Sequence, residues 1–523
     1  MSRLLSCRTT FSTTRRLSGI GTSHFPVPSC EDSSICLVSR PKRYSTQPEP
    51  VKSSSRLPKP RLDYNALTEN VVFKSHNAFS RKASIPPGAL QSIARLNADR
   101  KELAGTLDAK RHAQSTIGDH IKASLGDIEA KKAALEDAKF LKMEIAHLEE
   151  ELEAVEERLL TLALAVPNDT HPASPIGPED AAVTLSTHGP DPIPASSARD
   201  HVTIARSLRL FDFEAGATVT GSSWYYLTNE AALLEMALTS YAMSVAVAHG
   251  FTPVTTPDVI SLDLAKRCGF SPRDPLSGSP ASQMYHLTQR PEAAQEGSYP
   301  ELVLAGTAEI PLAGMFANKV YLSEELPIKV AGLGKAFRAE AGASGADTRG
   351  LYRVHQFTKL ELFAVTAEGR SEEMMEELKE IQTRIFEGLG LTFRILDMPT
   401  EELGASAYRK YDMEAWMPGR GSWGEISSTS NCTDYQSRRL HIRYREESPE
   451  DAKASTASTR KKPLPFAHTL NGTAAAVPRL IVALLENGVR FDEVGNIVGL
   501  NLPKALQPFW VGSVSKRDII HWV

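Results

Sequence analysis

The sequence predicts an α+β fold in which a long helical hairpin precedes a domain of mixed helices and strands. Three observations support this prediction. Apolar residues between Leu141 and Leu162 follow a heptad spacing, which is typical of paired helices. From Asp200 onward, short apolar runs alternate with helical patterns. Within that second part, two strand-like runs enclose a glycine-rich loop at residues 338–363.

Length and composition restrict the function classes. A chain of 523 residues is too long for one ordinary core, so more than one domain is expected. With 41% hydrophobic residues, 23% charged residues and a net charge of −4, it does not resemble proteins that coat nucleic acids. A local basic surface that binds nucleic acid is compatible with these values. No run of about 18 apolar residues occurs, so no membrane partner is expected. The five cysteines form no paired C-x-x-C, which argues against a disulfide framework or a zinc site.

The N-terminal segment differs in composition from the rest of the chain. Residues 1–46 contain seven basic and only two acidic residues and are rich in serine and threonine. This composition is typical of a mitochondrial transit peptide, and a disordered tail is the alternative. The sequence therefore predicts localisation in the mitochondrial matrix.

The two long helices are expected from about Leu90 to Ile121 and from about Ile128 to Ala165. The turn between them is short, which favours pairing within one chain over a dimerisation coiled coil between chains. At 1.5 Å per residue, an arm of about 40 residues projects roughly 60 Å, a length that suits a large partner.

These features divide the chain into parts. We expect a transit peptide at 1–46, an N-terminal coiled-coil domain at 47–170, a linker rich in proline, glycine and serine at 171–198, and a mixed domain at 199–523. Residues 448–465 are low in complexity and are expected to form an exposed insertion.

The segment around the glycine-rich loop contains several charged side chains that could bind a ligand. If residues 335–340 form a strand, Arg338 and Glu340 share one face, and the returning strand places Lys359 and Glu361 on one face as well. A guanidinium can hold a phosphate with two hydrogen bonds, and a carboxylate can hold an amine. An ion-pair ladder on a solvated sheet would use the same residue types, and these residues alone leave both alternatives open.

The motifs in this segment resemble those of a known family. Phe337-Arg338-x-Glu340, the glycine loop and Arg353-x-His355-Gln356-Phe357 are similar to motif 2 of class II aminoacyl-tRNA synthetases, in the version of seryl-tRNA synthetases. Thr307-Ala308-Glu309, the run 425–439 and the run 469–479 follow in the family's order, so the resemblance extends from about Leu62 to the C-terminus.

The resemblance implies a class II synthetase antiparallel β-sheet core flanked by helices, with the N-terminal arm as a tRNA-binding coiled coil. It implies a homodimeric serine–tRNA ligase in mitochondrial translation. Such an enzyme makes seryl-adenylate from L-serine and ATP with Mg²⁺, and then transfers the seryl group to tRNA(Ser). A non-catalytic, synthetase-like RNA-binding protein is the alternative. That alternative predicts loss of catalytic side chains, and these are all present.

The resemblance also implies residue roles. Arg338 would hold the α-phosphate, Glu340 the adenine amino group, Arg479 the γ-phosphate and Glu361 the serine ammonium, and catalysis would rest on Arg338, Glu425 and Arg479. The ATP-binding set is Arg338, Ala339, Glu340, Val354, Glu425, Ile426, Ser427, Ser428 and Arg479, of which Glu425 and Ser428 would hold Mg²⁺. The serine-binding set is Thr307, Ala308, Glu309, Glu361, Asn471 and Thr473. Basic residues of the arm expected to contact tRNA are Arg95, Arg100, Lys101, Lys110 and Arg111.

Motif 3 departs from the common family pattern. Where many relatives have N-G-S-G-x-A-x-G-R, this chain has Thr473, Ala474 and Pro478 within residues 471–479. If a helix opens near Ala475, Pro478 lies in its first turn, where a missing N–H costs little. The substitutions affect the expected detail of the serine pocket.

Overall fold

The computed structural model describes residues 57–123, 128–270, 284–288, 300–340, 349–446, 463–511 and 518–523. By their contacts these residues fall in one unit, Arg56–Val523. The expected transit peptide, the glycine loop at 341–348, the turn at 124–127 and residues 448–462 of the expected insertion lie outside the described residues.

The two long helices of the arm begin and end close to the positions that the sequence pattern predicts. In chain order the helices are α1 Tyr64–Glu69, α2 Val71–Ser80, α3 Ala89–Ala123, α4 Ile128–Leu164, α5 His201–Leu208, α6 Phe213–Val219, α7 Glu230–Ala248, α8 Leu262–Arg267, α9 Glu309–Met315, α10 Ser371–Gly388, α11 Tyr435–Leu440 and α12 Val477–Gly488.

The strands form one large sheet and several small ones. They are β1 Val183–His188, β2 Phe211–Asp212, β3 Tyr226–Leu227, β4 Thr252–Thr255, β5 Val259–Ser261, β6 His286–Leu287, β7 Leu302–Leu304, β8 Val320–Leu322, β9 Ile328–Phe337, β10 Gln356–Thr366, β11 Phe393–Asp397, β12 Arg409–Met417, β13 Ser422–Asn431, β14 Arg443–Arg445, β15 His468–Ala476, β16 Val489–Phe491, β17 Ile497–Leu502 and β18 Ile520–Trp522.

The large sheet has eight strands in the order β1-β11-β12-β13-β15-β10-β9-β4. Its neighbours are antiparallel except for β4, which lies at the edge and runs parallel to β9. Strands far apart in sequence are therefore neighbours at the centre. This arrangement is the antiparallel class II core that the resemblance implies.

Helices α3 and α4 pack against each other in opposite directions. Near the base, Leu90 and Ile93 of α3 share a buried cluster with Leu159 of α4, and farther out Leu107 packs with Leu141. The heptad positions therefore face the partner helix, as apolar side chains at that spacing must if they are to leave water.

The base of the arm is fixed to the mixed domain by hydrogen bonds to the backbone. Arg81 is buried, and its Nη2 donates to the carbonyl oxygens of Gly404 at 2.6 Å and Ala407 at 2.8 Å. The Asn168 backbone N–H donates to the Ala405 carbonyl at 2.8 Å. A guanidinium held by carbonyl oxygens gives the arm a defined point of attachment.

Both faces of the large sheet are covered. Leu360, Leu362 and Ala364 of β10 pack in the main core with α7, α10 and α12, whereas Phe363 and Val365 belong to a second cluster with α8 and α9. Because side chains alternate along a strand, Lys359 and Glu361 lie on the second face. That face carries the candidate site.

Helix α7 is long and apolar enough to cross a membrane by length and composition alone. Core helices of soluble proteins meet the same criterion, and Leu234, Leu238 and Tyr241 of α7 pack in the main core. Part of its apolar composition is therefore explained by packing inside the protein.

The strand expected at residues 335–340 ends earlier, at Phe337, and this part of the prediction was wrong. The Arg338 N–H still bonds the His355 carbonyl at 2.9 Å, but Glu340 adopts a positive φ of 47°. A left-handed residue cannot continue a strand, so turning of the chain, and not strand alternation, sets the direction of Glu340. Pro478 lies in the first turn of α12, as predicted.

Candidate active site

A cleft on the second face of the sheet collects most of the expected ATP-binding residues. It contains about 540 Å³ of space not filled by protein atoms, part of it open to solvent. The expected residues that line it are Arg338, Glu340, Val354, Glu425, Ile426, Ser427, Ser428, Thr473 and Arg479. Ala339 is not among the lining residues. Further lining residues are Leu351, Tyr352, Arg353, Phe357, Lys359, Ala476 and Pro478.

Strand order explains this convergence. Strand β15 lies between β13 and β10, so the strand that carries Glu425 and the strand that carries Glu361 are separated by one neighbour. Glu361 lies directly opposite Thr473 in the β10–β15 register. Arg479 is the third residue of α12, which begins directly after β15. Residues more than 100 positions apart thus line one cleft.

Charge in the cleft is arranged around Arg338, Arg479 and Glu425. Arg479 Nη1 lies 2.8 Å from Glu425 Oε2. Burial opposes ionisation of Glu425, but Arg479, Lys410 and Arg338 outweigh it and lower the pKa of Glu425 to about 2. Burial, and then repulsion by Arg479, lower the pKa of Arg338. Two half-buried guanidiniums close enough to repel each other form a preorganised site for an anion.

Aromatic rings hold the two arginines in position. The Arg338 guanidinium lies 5.4 Å from the centroid of the Phe357 ring, and that of Arg479 lies 4.8 Å from the Tyr352 ring. Arg420 also lies against the Tyr352 ring, at 3.8 Å. Cation–π contacts stabilise these side chains without using their N–H donors, which leaves donors for phosphate oxygens.

The Glu340 carboxylate is oriented by an arginine on the returning segment. Arg353 Nη1 lies 3.3 Å from Glu340 Oε2. Val354, the next residue, is buried and lines the same cleft. The arrangement places a carboxylate acceptor beside an apolar wall, which suits a flat heterocycle that carries an amino group.

The residues expected to hold Mg²⁺ fit that ion. Glu425 is ionised at neutral pH because of its low pKa, and the Ser428 hydroxyl lies on the same strand. Asp412 lies opposite Ser428 in the β12–β13 register, and its buried Oδ1 has no hydrogen-bond partner in the described part of the chain. Carboxylate and hydroxyl oxygens are the hard ligands that Mg²⁺ prefers.

The expected serine pocket is built around Glu361, which is 1% exposed. Its Oε2 lies 2.7 Å from Lys359 Nζ and 3.5 Å from Thr307 Oγ1. Lys359 Nζ also lies 3.2 Å from Thr307 Oγ1. The carboxylate is therefore compensated by a lysine that lies at the border between this pocket and the ATP cleft.

Glu309 provides a second carboxyl group, half-buried, near Glu361. Burial, and then the neighbouring Glu361, raise the pKa of Glu309 to about 7. Glu309 Oε1 accepts a hydrogen bond of 2.6 Å from Gln436 Nε2. A carboxyl group with a pKa near neutrality is typical of a functional site.

The remaining members of the expected serine set line the same region. Ala308 is buried directly before α9, and Thr473 is 2% exposed. Asn471 Nδ2 lies 3.5 Å from Cys432 Sγ, a weak contact that leaves most of the amide's hydrogen-bonding capacity available.

We predict that the free energy of unfolding of Glu309→Gln exceeds that of wild type by an amount that grows as pH rises from about 4.5 to about 7. Above pH 7 this difference should stay constant. The folded protein holds a proton on Glu309 that the unfolded chain releases above 4.5, so wild type loses stability across this window and glutamine does not. The two values differ by 2.5, which corresponds to about 3 kcal/mol of unfolding free energy. Thermal unfolding of both proteins without ligand, from pH 5 to 8.5, measures this. A Tm difference that does not grow with pH would contradict it.

The five arm residues expected to contact tRNA all have local partners. Lys110 lies 2.9 Å from Glu144 and Arg111 lies 2.7 Å from Glu149, so both join the two helices of the arm. The other three contact α1 or α3 itself, with Lys101 bonded to Asn65 at 2.8 Å, Arg100 beside the Tyr64 ring at 5.7 Å and Arg95 bonded to Ser92 at 3.5 Å. Their binding of tRNA stays a prediction.

A separate group of potential metal ligands, Asp200, His201 and Glu486, is occupied by hydrogen bonds. His201 Nδ1 lies 2.8 Å from Glu486 Oε1, and Glu486 Oε2 accepts from the backbone N–H groups of Gly419 and Arg420. A carboxylate satisfied on both oxygens is best explained as part of the fold.

Sequence reasoning missed several residues of the site. Strand alternation places Phe357 and Lys359 on the face of Glu361, but neither of them was assigned a role. Gln436 lies within the family-like run 425–439 and Tyr352 lies just before Arg353 of motif 2, and neither was assigned a role. Their positions depend on contacts between distant parts of the chain.

Comparison with protein families agrees with this geometry. The model of the seryl-tRNA synthetase N-terminal domain matches residues 62–170. The model of the class II core domain of tRNA synthetases for G, H, P, S and T matches residues 292–488. Together the two models cover the arm and the cleft.

Individual relatives extend the match over most of the chain. A serine–tRNA ligase of Rhodopirellula baltica is 38% identical over 86% of this chain and 98% of its own length. The mitochondrial serine–tRNA ligase of Schizosaccharomyces pombe is also 38% identical, over 86% of this chain and 88% of its own. The crystal structure of the Pyrococcus horikoshii seryl-tRNA synthetase complexed with ATP aligns with a TM-score of 0.70 at 29% identity, covering 86% of this chain and 98% of that one.

Proposed function

The chain belongs to the serine–tRNA ligases of the class II aminoacyl-tRNA synthetases, and we propose that its cleft joins L-serine to the α-phosphate of ATP with the residues described above. One observation carries this proposal: Arg338, Glu425 and Arg479 line a single cleft, and Glu361 lies opposite Thr473, which lines the same cleft. Cations for the phosphates and a carboxylate for the serine ammonium group are thus present on neighbouring strands.

For ATP, Arg338 would hold the α-phosphate and Arg479 the γ-phosphate, while Glu340 would accept from the adenine amino group. Val354, Ile426 and Ser427 would form the walls around the nucleotide, as cleft-lining residues. Mg²⁺ held by Glu425 and Ser428 would supply further neutralisation of phosphate charge. Relatives complexed with ATP or AMP have the same fold, which supports this assignment.

In the activation step, a serine carboxylate oxygen attacks the α-phosphorus, and the bond from that phosphorus to the pyrophosphate leaving group breaks. No proton has to move. The step therefore depends on alignment and on stabilisation of negative charge, which arginines lining the cleft provide better than a general base would.

For serine, Glu361 would hold the ammonium group. Lys359 already lies against Glu361 at 2.7 Å, so the incoming ammonium would share that carboxylate with the lysine. Thr307, Glu309, Asn471 and Thr473 offer the polar partners for a hydroxyl. A pocket built to hydrogen-bond a hydroxyl rejects alanine strongly, because its buried partners would be left unpaired.

The test of the ligase function is charging of tRNA by the purified protein. Radiolabelled serine should become acid-precipitable with a tRNA(Ser) preparation only when ATP is present. Charging with alanine or threonine at a comparable rate, or no charging with serine, would contradict the proposed specificity.

We predict that removing the arm separates the two steps of the reaction. A short linker joining Leu96 to Leu159 keeps the buried cluster at the arm base, in which both residues lie. Serine-dependent ATP–pyrophosphate exchange should be retained, while tRNA charging should fall by about 10²-fold or more because phosphate contacts along the arm are lost. Charging at the wild-type rate would show that the arm does not bind tRNA.

We also propose that the protein acts in the mitochondrial matrix. The support is the composition of residues 1–46 together with the mitochondrial yeast relatives, although bacterial relatives match equally well. We predict that residues 1–50 fused to a reporter enter isolated, energised mitochondria and become protease-resistant. A fusion that stays protease-sensitive would contradict this localisation.

A homodimer is also part of the proposal. Strand β4 lies at a sheet edge, and Met236 and Val247 of α7 and Val259 of β5 are exposed apolar side chains close to it in sequence. An unpaired edge beside apolar side chains suits a second copy of the chain.

A further inference from the structure

Gln436 is a fully buried glutamine of α11 that the proposed reaction does not use. Its Nε2 lies 2.6 Å from Glu309 Oε1, and its Oε1 accepts a hydrogen bond of 2.8 Å from Thr469 Oγ1. Both polar ends of this amide are therefore paired, one with a residue of the expected serine pocket and the other with β15.

The direction of the amide follows from the chemistry of its partners. Glu309 Oε1 accepts a hydrogen bond from the Gln436 NH₂ group, an arrangement that also suits the ionised carboxylate present above the Glu309 pKa of about 7. The Gln436 carbonyl oxygen then faces Thr469, whose hydroxyl donates to it. Thr469 thus fixes the amide, and the amide in turn fixes the carboxylate.

Glu309 needs such a partner because of its surroundings. The charged and titratable groups that act on it are Glu361 and Lys359 of β10, Arg338 beyond β9, Cys268 beyond α8 and Cys432 beyond β13. Glu361 repels its charge, and Lys359 is already engaged with Glu361. A charge-assisted hydrogen bond from a neutral amide favours the ionised form without adding a competing cation.

We propose that Gln436 is a positioning residue for serine selection, which holds one oxygen of Glu309 so that the other remains available to the substrate hydroxyl or ammonium. The proposal rests on the proposed function, because it requires serine to be the substrate. It assigns a specificity role to a residue on α11 that does not line the ATP cleft.

The test compares Michaelis constants in ATP–pyrophosphate exchange. Gln436→Leu should raise KM for serine about 10- to 100-fold, the range expected for a lost charge-assisted hydrogen bond. KM for ATP should stay within about threefold of wild type, because within the described residues the Gln436 side chain bonds Glu309, Thr469 and Cys268, none of which lines the ATP cleft. The acidic limb of kcat/KM for serine should move to higher pH, since ionised Glu309 loses a donor.

Thr469→Val provides a milder variant in case Gln436→Leu does not fold. It should raise KM for serine about threefold or more, through the loss of one neutral hydrogen bond. Thr392→Val is its matched control, because the buried Thr392 hydroxyl donates to the Pro190 carbonyl at 2.7 Å and contacts no site residue. The control should lose similar thermal stability and leave KM for serine unchanged.

The outcomes separate the two proposals. A wild-type protein without serine-dependent exchange would overturn the proposed function and this inference with it. If wild type exchanges normally, a folded Gln436→Leu or Thr469→Val protein that changes the Michaelis constants for serine and ATP alike, or changes neither, would overturn this inference alone.

Discussion

Arg338→Ala should abolish serine activation while leaving the fold intact. The half-buried Arg338 guanidinium lines the cleft, where its Nε donates to the Gly306 carbonyl at 3.2 Å and its face lies against Phe357. Charge that develops on the α-phosphate would lose its nearest cation. We expect the ATP–pyrophosphate exchange rate to fall by about 10³- to 10⁵-fold, as for arginines that stabilise phosphoryl transfer.

The control for this variant is Arg370→Ala. Arg370 is exposed, pairs with Glu373 and does not line the cleft, so its removal changes net charge by the same amount without touching the site. Exchange by the control should match wild type. A folded Arg338→Ala protein that retains more than about a tenth of wild-type exchange would show that Arg338 is not the phosphate ligand.

Glu361→Gln should remove serine binding selectively. The change keeps the shape of the side chain but removes the charge that faces Lys359 and, in the proposed complex, the ammonium of serine. The lysine would then repel the ammonium group. We expect kcat/KM for serine to fall about 10³-fold, as when one partner of a buried charge pair is lost, with KM for ATP within about threefold of wild type.

Glu377→Gln is the matched control for Glu361→Gln. Glu377 also pairs with a lysine, at 2.8 Å from Lys329 Nζ, but it lies on α10 and does not line the cleft. Kinetic constants of this control should equal those of wild type. Equal loss of serine and ATP affinity in Glu361→Gln would contradict the assignment of the ammonium site.

The arm could be predicted almost completely from the sequence. Helix α4 begins at Ile128, where the pattern places it, and the heptad residues Leu141, Ile145 and Leu159 are buried. A helix pair depends on contacts that repeat every few residues, so local periodicity contains most of the information. The pairing with α3 then follows from the short connection.

The residues of the cleft could be predicted only where the motifs of the resemblance contain them. Arg338, Glu425 and Arg479 were expected together because the resemblance links them, and the strand order places them in one cleft. The end of β9 could not be predicted, because the alternation continues through Glu340 while its φ of 47° turns the chain. Gln436 lies 127 residues from Glu309, and no local pattern connects the two.

The departures in motif 3 are explained by local structure. Pro478 occupies the first turn of α12, where no N–H is required, so Arg479 still enters the cleft. Ala474 is buried between neighbouring strands, and Thr473 keeps its hydroxyl in the pocket that Glu361 shares. These substitutions therefore preserve the layout of the site.

Serine-dependent ATP–pyrophosphate exchange tests the central claim most directly. The protein without its first 45 residues, given ATP, Mg²⁺ and labelled pyrophosphate, should form labelled ATP when serine is added, in the absence of any tRNA. Alanine and threonine at the same concentration should give little exchange, because the pocket is built around a hydroxyl of one size. No exchange with serine, under conditions in which the Rhodopirellula baltica relative is active, would contradict the account.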